Sequence, residues 1–243
     1  MRPGSSRETP LLTARWRDLV VVNYVVDPAI VAALAPRGTE PDLHEGRTFL
    51  SLVGFLFEDT RLAGRVPLWP CATFEEVNLR FYVRRLTPEG PRRGVAFVRE
   101  IVPCRTIAWG ARLLYHEPYV VRRMAHRVEG GRFSYRFESG GTWLEIAACT
   151  SGSPLPLHPG SEEEFILDHE WGWSRQRDGG TKEYRVEHPP WKRRAVDRVE
   201  VDPRVAAFYG APVAEALAQP PRSAFVAEGS EVSVYRGSRM GCP

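Results

Sequence analysis

Lysine is almost missing from this chain. Among its 33 basic residues only Lys182 and Lys192 are lysines, so a mechanism that needs an amine nucleophile has two candidates. Cysteine is sparse too. Cys71, Cys104, Cys149 and Cys242 stand far apart and form no C-x-x-C pair, a spacing that suits neither a zinc site nor a dense disulfide framework. The expectation is reduced thiols in a cytoplasmic protein. Neither sign of charge dominates. The net charge is +3 with the basic residues scattered, which gives no case for nucleic acid as a partner. No apolar run approaches the ~20 residues of a membrane span, and the polar opening MRPGSSRETP lacks the apolar stretch of a signal peptide. The sequence therefore reads as soluble, intracellular and without a membrane partner.

Chemical signatures are absent as well. There is no G-x-S-x-G, no G-x-G-x-x-G and no Walker loop, which disfavours hydrolase elbows and nucleotide cradles. His169 and Glu170 are adjacent, but no H-x-x-x-H or two-histidine-one-carboxylate spacing accompanies them, so neither a metal nor an organic cofactor is expected.

What is present is strand. Hydrophobic residues make up 43% of 243 residues, enough for a substantial core. After a leader at 1–10, the run Leu19–Val26 is rich in β-branched residues and reads as a buried strand. Asp27-Pro28 then supplies a helix cap and first position, with Ile30, Val31 and Leu34 turned to the core and a stop before Pro36. Residues 47–57 form another strand, with Gly54 as a candidate bulge. Residues 74–83 alternate with period two: Val77, Leu79, Phe81 and Val83 on one face, Glu76, Asn78, Arg80 and Tyr82 on the other. Further strands are expected at 94–101, 106–116, 119–128, 132–138, 142–149, 181–188 and 231–236, separated by turns such as Glu129-Gly130-Gly131. Ser161 and Glu164 form a capping box ahead of Phe165, Ile166 and Leu167, and Asp202-Pro203 starts a second short helix toward Tyr209. Many short strands and few helices argue for a barrel, or a folded-over sheet with helices on its edge. No linker divides the chain, so 11–237 is expected as one domain and 238–243 as a tail.

Three segments carry a family likeness: Phe74–Val83, the stretch from Gly110 to Val120, and Tyr184–Trp191 with its H-P-P-W. Together with the strand and Asp-Pro helix at 19–35, they resemble the DUF2071 (YqjF-like) family of acetoacetate-decarboxylase-like proteins over roughly residues 11–237. The resemblance implies an α+β, mostly β fold: a closed or partly open antiparallel β-barrel with a few peripheral helices and an internal small-molecule pocket. It also implies what is lost. The decarboxylase uses a lysine amine as a Schiff-base nucleophile. Tyr119 and Val120 stand where lysines would be expected, and Val25 where an arginine would. Glu76 matches a retained acidic residue. A phenol forms no imine with a ketone, so Schiff-base decarboxylation is not expected at Tyr119; only Lys182 offers a relocated amine.

Each polar constellation has two readings. The Glu76–Asn78–Arg80–Tyr82 face is either a solvated strand face or a pocket wall, in which Arg80 binds a substrate carboxylate and Glu76 neutralises it or acts as base. Lys182, Tyr184, Val186 and His188 share a strand face. His188 is either a general acid–base group or a turn contact, and Trp191 either plugs the barrel end or stacks on substrate. Arg112 and His116 share strand parity, Arg112 being a second anion contact or a partner of Glu76 or Glu117. The candidate catalytic residues are thus Glu76, His188 and Tyr119, and the candidate substrate contacts Asn78, Arg80, Tyr82, Arg112, His116, Tyr184 and Trp191. The expected function is a cofactor-independent enzyme acting by acid–base chemistry on a small carbonyl, oxo-acid or polyketide-like metabolite, of isomerase, dehydratase or cyclase type. The alternative is a non-catalytic small-molecule sensor or carrier. A homodimer is compatible with the sequence, but no segment identifies an interface.

Overall fold

A computed structural model describes residues 8–241. The leader's residues 1–7 and the thiol of Cys242 lie outside the described residues.

The chain opens with β1 (Leu12–Val26), whose β-branched run forms a long strand, and turns into α1 (Pro28–Leu34). Asp27 caps α1 by accepting from the Ala29 N–H at 2.8 Å, and Val31 is buried. Next come β2 (Glu40–Pro41), β3 (Thr48–Leu62), β4 (Val66–Pro67), β5 (Phe74–Thr87) and β6 (Gly90–Val102). Then α2 (Arg105–Tyr115) leads into β7 (Tyr119–Val121), β8 (Met124–Glu129), β9 (Arg132–Ser139), β10 (Thr142–Cys149) and β11 (Leu155–Pro156). The expected Ser161 cap holds α3 (Glu162–Leu167), accepting from the Glu164 N–H. The rest comprises β12 (Trp171–Arg175), β13 (Thr181–Glu187), β14 (Lys192–Ala195), β15 (Arg198–Val201), α4 (Arg204–Ala207), α5 (Val213–Leu217), β16 (Ser223–Ala227), β17 (Glu231–Val234) and β18 (Ser238–Arg239). Residues expected as a tail therefore begin with a short strand, which pairs with β13.

Seven strands close on themselves in the order β1, β3, β5, β6, β12, β13, β17 and back to β1. The expected antiparallel arrangement is broken at one seam of the ring, where β12 runs parallel to β6, and β7 beside the ring also runs parallel to β6. A second sheet, β15-β10-β9-β8, covers part of the outside. The alternation of each long strand sorts its residues between two cores. Val20, Val22, Leu50, Leu52, Val77, Leu79 and Phe81 point outward and pack against Phe133, Tyr135, Phe137, Leu144 and Ile146 of the second sheet. Val21, Phe49, Val53, Phe55, Phe57, Phe74 and Tyr82 point into the ring, where Phe165 and Ile166 of α3 join them. With both faces covered, the inward face of β5 is enclosed rather than solvated.

Three expectations need correction. Residues 106–116 are not a strand but helix α2. Gly54 is not the bulge: it pairs regularly with Val20 and Val77, and the register shift lies opposite, in β1, where Asp18 adopts φ 55°. Gly54 instead admits the Tyr135 ring, which a Cβ there would meet at 2.8 Å. Finally, Cys71 and Cys104 form a disulfide rather than standing as reduced thiols, tying the loop before β5 to the N-cap of α2. Spacing alone concealed this pair because the fold, not the sequence, makes them neighbours. No helix among the described residues is long and apolar enough to cross a membrane.

Candidate active site

The inward face of β5 carries Glu76, Asn78, Arg80 and Tyr82, as the alternation predicts, and all four are buried. Glu76 is 2% and Asn78 3% exposed. The Asn78 amide donates to Glu76 Oε1 at 2.9 Å, and the Tyr119 hydroxyl donates to Glu76 Oε2 at 3.2 Å.

Two further carboxyls join them. Glu100, 3% exposed, lies opposite Asn78 on β6. Its inward aim depends on a β-bulge. Leu79 pairs with Arg99 and Arg80 with Phe97, so Val98 is the extra residue, and parity reverses there. Such a residue re-aims the side chains beyond it. Glu117, 6% exposed, follows the end of α2, where His116 takes the left-handed conformation (φ 56°) and turns the chain back toward the ring. The Tyr184 hydroxyl donates to Glu117 Oε1 at 2.8 Å. Gly172, paired with Tyr184, makes room for that ring, since a Cβ would meet the phenol at 2.2 Å.

This packing sets the protonation states. Burial raises the pKa of all three carboxyls, because the charged form loses its hydration. Glu76 is pushed up to about 7 by burial, against the opposing hydrogen bonds from Asn78 and Tyr119 and the Arg80 charge. Burial and the neighbouring Glu76 bring Glu117 to about 8. Burial together with Glu117 and Glu76 holds Glu100 well above the ordinary carboxylate range, against the opposing influence of the nearby Tyr119 hydroxyl. Burial and the surrounding glutamates raise Tyr119 and Tyr184 far above the usual phenol range, so both remain hydroxyl donors. The cluster can hold or release protons near neutral pH, as acid–base chemistry requires.

Arg80 occupies the other end of the face. Its Nε donates to the Tyr82 hydroxyl at 3.2 Å and its Nη2 to the Ile166 carbonyl at 3.1 Å. Tyr82 donates to Ser51 Oγ at 2.7 Å, Ser51 to Asn23 Oδ1 at 2.6 Å, and Asn23 to Ser223 Oγ at 2.9 Å. Ser223 in turn donates to Glu162 of α3. This chain of donors fixes the guanidinium from behind. His169 lies alongside; burial and the charges of Arg80 and Arg93 hold its pKa well below the ordinary histidine range, so it is neutral.

The other expected site residues are placed differently. Arg112 is exposed on α2, and its Nε donates to the Tyr119 backbone carbonyl at 2.9 Å, so it steadies the strand behind Tyr119. His116 shares no strand parity with Arg112, because both belong to a helix and its C-cap. His188 is half-buried, stacks on Trp191 at 4.2 Å and has Nδ1 2.9 Å from the Pro189 carbonyl. Trp191 is buried at an edge-on contact with Trp16, donating Nε1–H to Ser230 at 2.7 Å. The Lys182 amine donates to the Leu114 carbonyl at the end of α2 and lies over the Tyr115 ring. Sequence reasoning missed Glu100, Ser51 and Asn23, and it met Glu117 only as a partner for Arg112. Among the described residues, no group of three or more His, Cys, Asp or Glu side chains is arranged to hold a metal ion.

Comparison with known proteins places this architecture. The model of the DUF2071 family, described as an uncharacterized conserved protein, matches residues 13–231. The uncharacterized protein YqjF of Bacillus subtilis (strain 168) is 31% identical over 189 residues, which is 74% of each chain. An acetoacetate decarboxylase from Legionella pneumophila superposes with a TM-score of 0.68 at 14% identity, over 99% of this chain and 92% of that one. MppR, an enduracididine biosynthesis enzyme solved with the condensation product of pyruvate and imidazole 4-carboxaldehyde, gives 0.61 at 15% identity, over 97% and 91%. At such identities the structural likeness establishes the fold alone.

Proposed function

This chain belongs to the DUF2071 family, and from that premise we propose that it is a cofactor-independent enzyme that moves protons on a small oxo-acid or related carbonyl compound. Arg80 takes the substrate carboxylate. The Tyr119 hydroxyl donates to the carbonyl oxygen and stabilises the negative charge that grows there as an enolate forms. The Glu76 carboxylate removes the proton from the adjacent carbon and, now neutral, returns it to the same or a neighbouring carbon. That is an isomerisation; with a β-hydroxyl as leaving group, a neutral Glu117 supplies the proton that turns it into water. The observation that carries this reading is the 3.2 Å contact between the Tyr119 hydroxyl and Glu76 inside the ring. It supplies an acid–base pair and an oxyanion donor where the decarboxylase resemblance would place an amine.

The test is hydrogen–deuterium exchange. Acetoacetate, pyruvate and 2-oxobutyrate are incubated with the protein in D2O, and loss of the C–H signals is followed by NMR. Exchange above the buffer rate is expected for at least one, falling about 10²–10⁴-fold in Glu76→Gln, while Arg80→Ala raises KM. Exchange at the buffer rate for all three overturns the proposal and leaves a binding protein. Borohydride reduction in the presence of each ketone, read by mass spectrometry, is expected to give no adduct at Lys182.

A further inference from the structure

Polar satisfaction inside the ring is lopsided. The hydroxyl of Tyr119 is committed to Glu76, that of Tyr184 to Glu117, and the amide nitrogen of Asn78 to Glu76. The acceptors are in surplus. Glu100 Oε2 and Asn78 Oδ1 are fully buried and have no hydrogen-bond partner. The two residues are direct cross-strand neighbours on β5 and β6, a relation that brings Cβ atoms to about 4.5–5.5 Å. Both are aimed inward, and a buried polar atom without a partner costs free energy until something supplies one.

Two orphaned acceptors, one of them on Glu100 and both flanked by Glu76 and Glu117, call for N–H donors carrying positive charge. Arg80 does not fill that role, since Nε and Nη2 are turned to Tyr82 and Ile166. It lies two residues beyond Asn78 on the same face, about 7 Å along the strand. We propose that the substrate is a small carboxylic acid bearing a protonated nitrogen (an ammonium, amidinium or iminium group), whose N–H donors are received by Glu100 Oε2 and Asn78 Oδ1 while Arg80 holds the carboxylate. This deepens the acid–base reading and rests on it for the orientation of the ligand. Glu76, Glu100, Glu117, Tyr119 and Tyr184 surround the nitrogen, and Arg80 stands at the carboxylate end with the neutral His169 beside it. Of these, the carboxyls respond to it: the cation favours their ionised forms, so binding releases protons to solvent.

The experiment compares matched ligands on the unmodified chain by calorimetry at pH 6 and pH 8. The probes are propionate, 3-aminopropionate, acetate and guanidinoacetate. The nitrogen-bearing acids are expected to bind about tenfold or more tightly than their plain counterparts at pH 8, with the advantage shrinking at pH 6 as the carboxyls take up protons. In Glu100→Gln the ratio of nitrogen-bearing to plain-acid affinity is expected to fall to about one; Arg80→Ala weakens both kinds together. Equal or tighter binding of the plain acids at pH 8 overturns the inference, as does absence of binding by both nitrogen-bearing acids. An advantage that survives Glu100→Gln does the same. The ligand comparison decides the matter even if the variant fails to fold. Deuterium exchange of pyruvate that depends on Glu76, found together with no nitrogen advantage, ends this inference while keeping the acid–base reading.

Discussion

The Tyr119 hydroxyl donates to Glu76 at 3.2 Å, and its raised pKa keeps it a donor at every working pH. Tyr119→Phe deletes that donor and little else. The deuterium-exchange rate is expected to fall about 10²–10³-fold, the typical effect of removing one oxyanion donor. KM should be nearly unchanged because Arg80 remains. An unaltered rate in the NMR assay would assign the phenol a packing role. At this scale the sequence was informative where a side chain's direction follows from strand parity, as for Glu76, Asn78 and Arg80. It was silent on Glu100 because the extra residue Val98 reverses the count on β6. Glu117 was equally hidden, since its aim depends on a left-handed His116 that no alternation encodes.

At the scale of elements, α2 shows why a helix was read as a strand. Trp109, Leu113 and Leu114 are exposed, while Ala108 is its buried residue. Ile107, Ala108, Ala111, Leu114 and Tyr115 nevertheless recur at helical spacing and make α2 amphipathic, a period that a strand count over 106–116 overlooks. By contrast, α1 and α3 were legible because Asp27 and Ser161 are caps whose geometry is local. The Cys71–Cys104 bond fastens α2 to the loop ahead of β5 across a separation of 33 residues. Reduction, or Cys71→Ser, is expected to lower stability by about 2–4 kcal/mol, measured as urea midpoints with and without reductant. Gly54→Ala drives a methyl into the Tyr135 ring and is expected to cost about 1–3 kcal/mol as overpacking, read from the same unfolding curves.

Across the whole molecule, enclosure of the carboxyls links stability to pH. Glu76, Glu117 and Glu100 have native pKa values above their unfolded values. The native state therefore holds protons that the unfolded chain has already released, and stability falls as pH rises through about 7 to 8. His169 acts oppositely. Its depressed native pKa adds stability as pH rises toward 6.5, the ordinary histidine value, and this gain is complete above it. Between pH 6.5 and 8.5 the carboxyls alone govern, so the Tm measured by calorimetry is expected to drop by several degrees. A flat or rising Tm would mean that water reaches these groups. The mostly β architecture and a barrel-like sheet were visible from the many short strands and turns, but which strands close the ring and where the parallel seam falls were not, because these pairings join segments far apart in the chain.

That closure sets an order of events for synthesis. Leu12–Arg15 at the start of β1 meet Glu231–Val234 of β17 near the other end, so the first strand made waits for nearly the last. A nascent chain emerging from the ribosome can build its hairpins early, but the interior stays open to water until β17 has been translated. An open ring leaves carboxyls hydrated, so the raised pKa values on which the proposed chemistry depends belong to the closed ring.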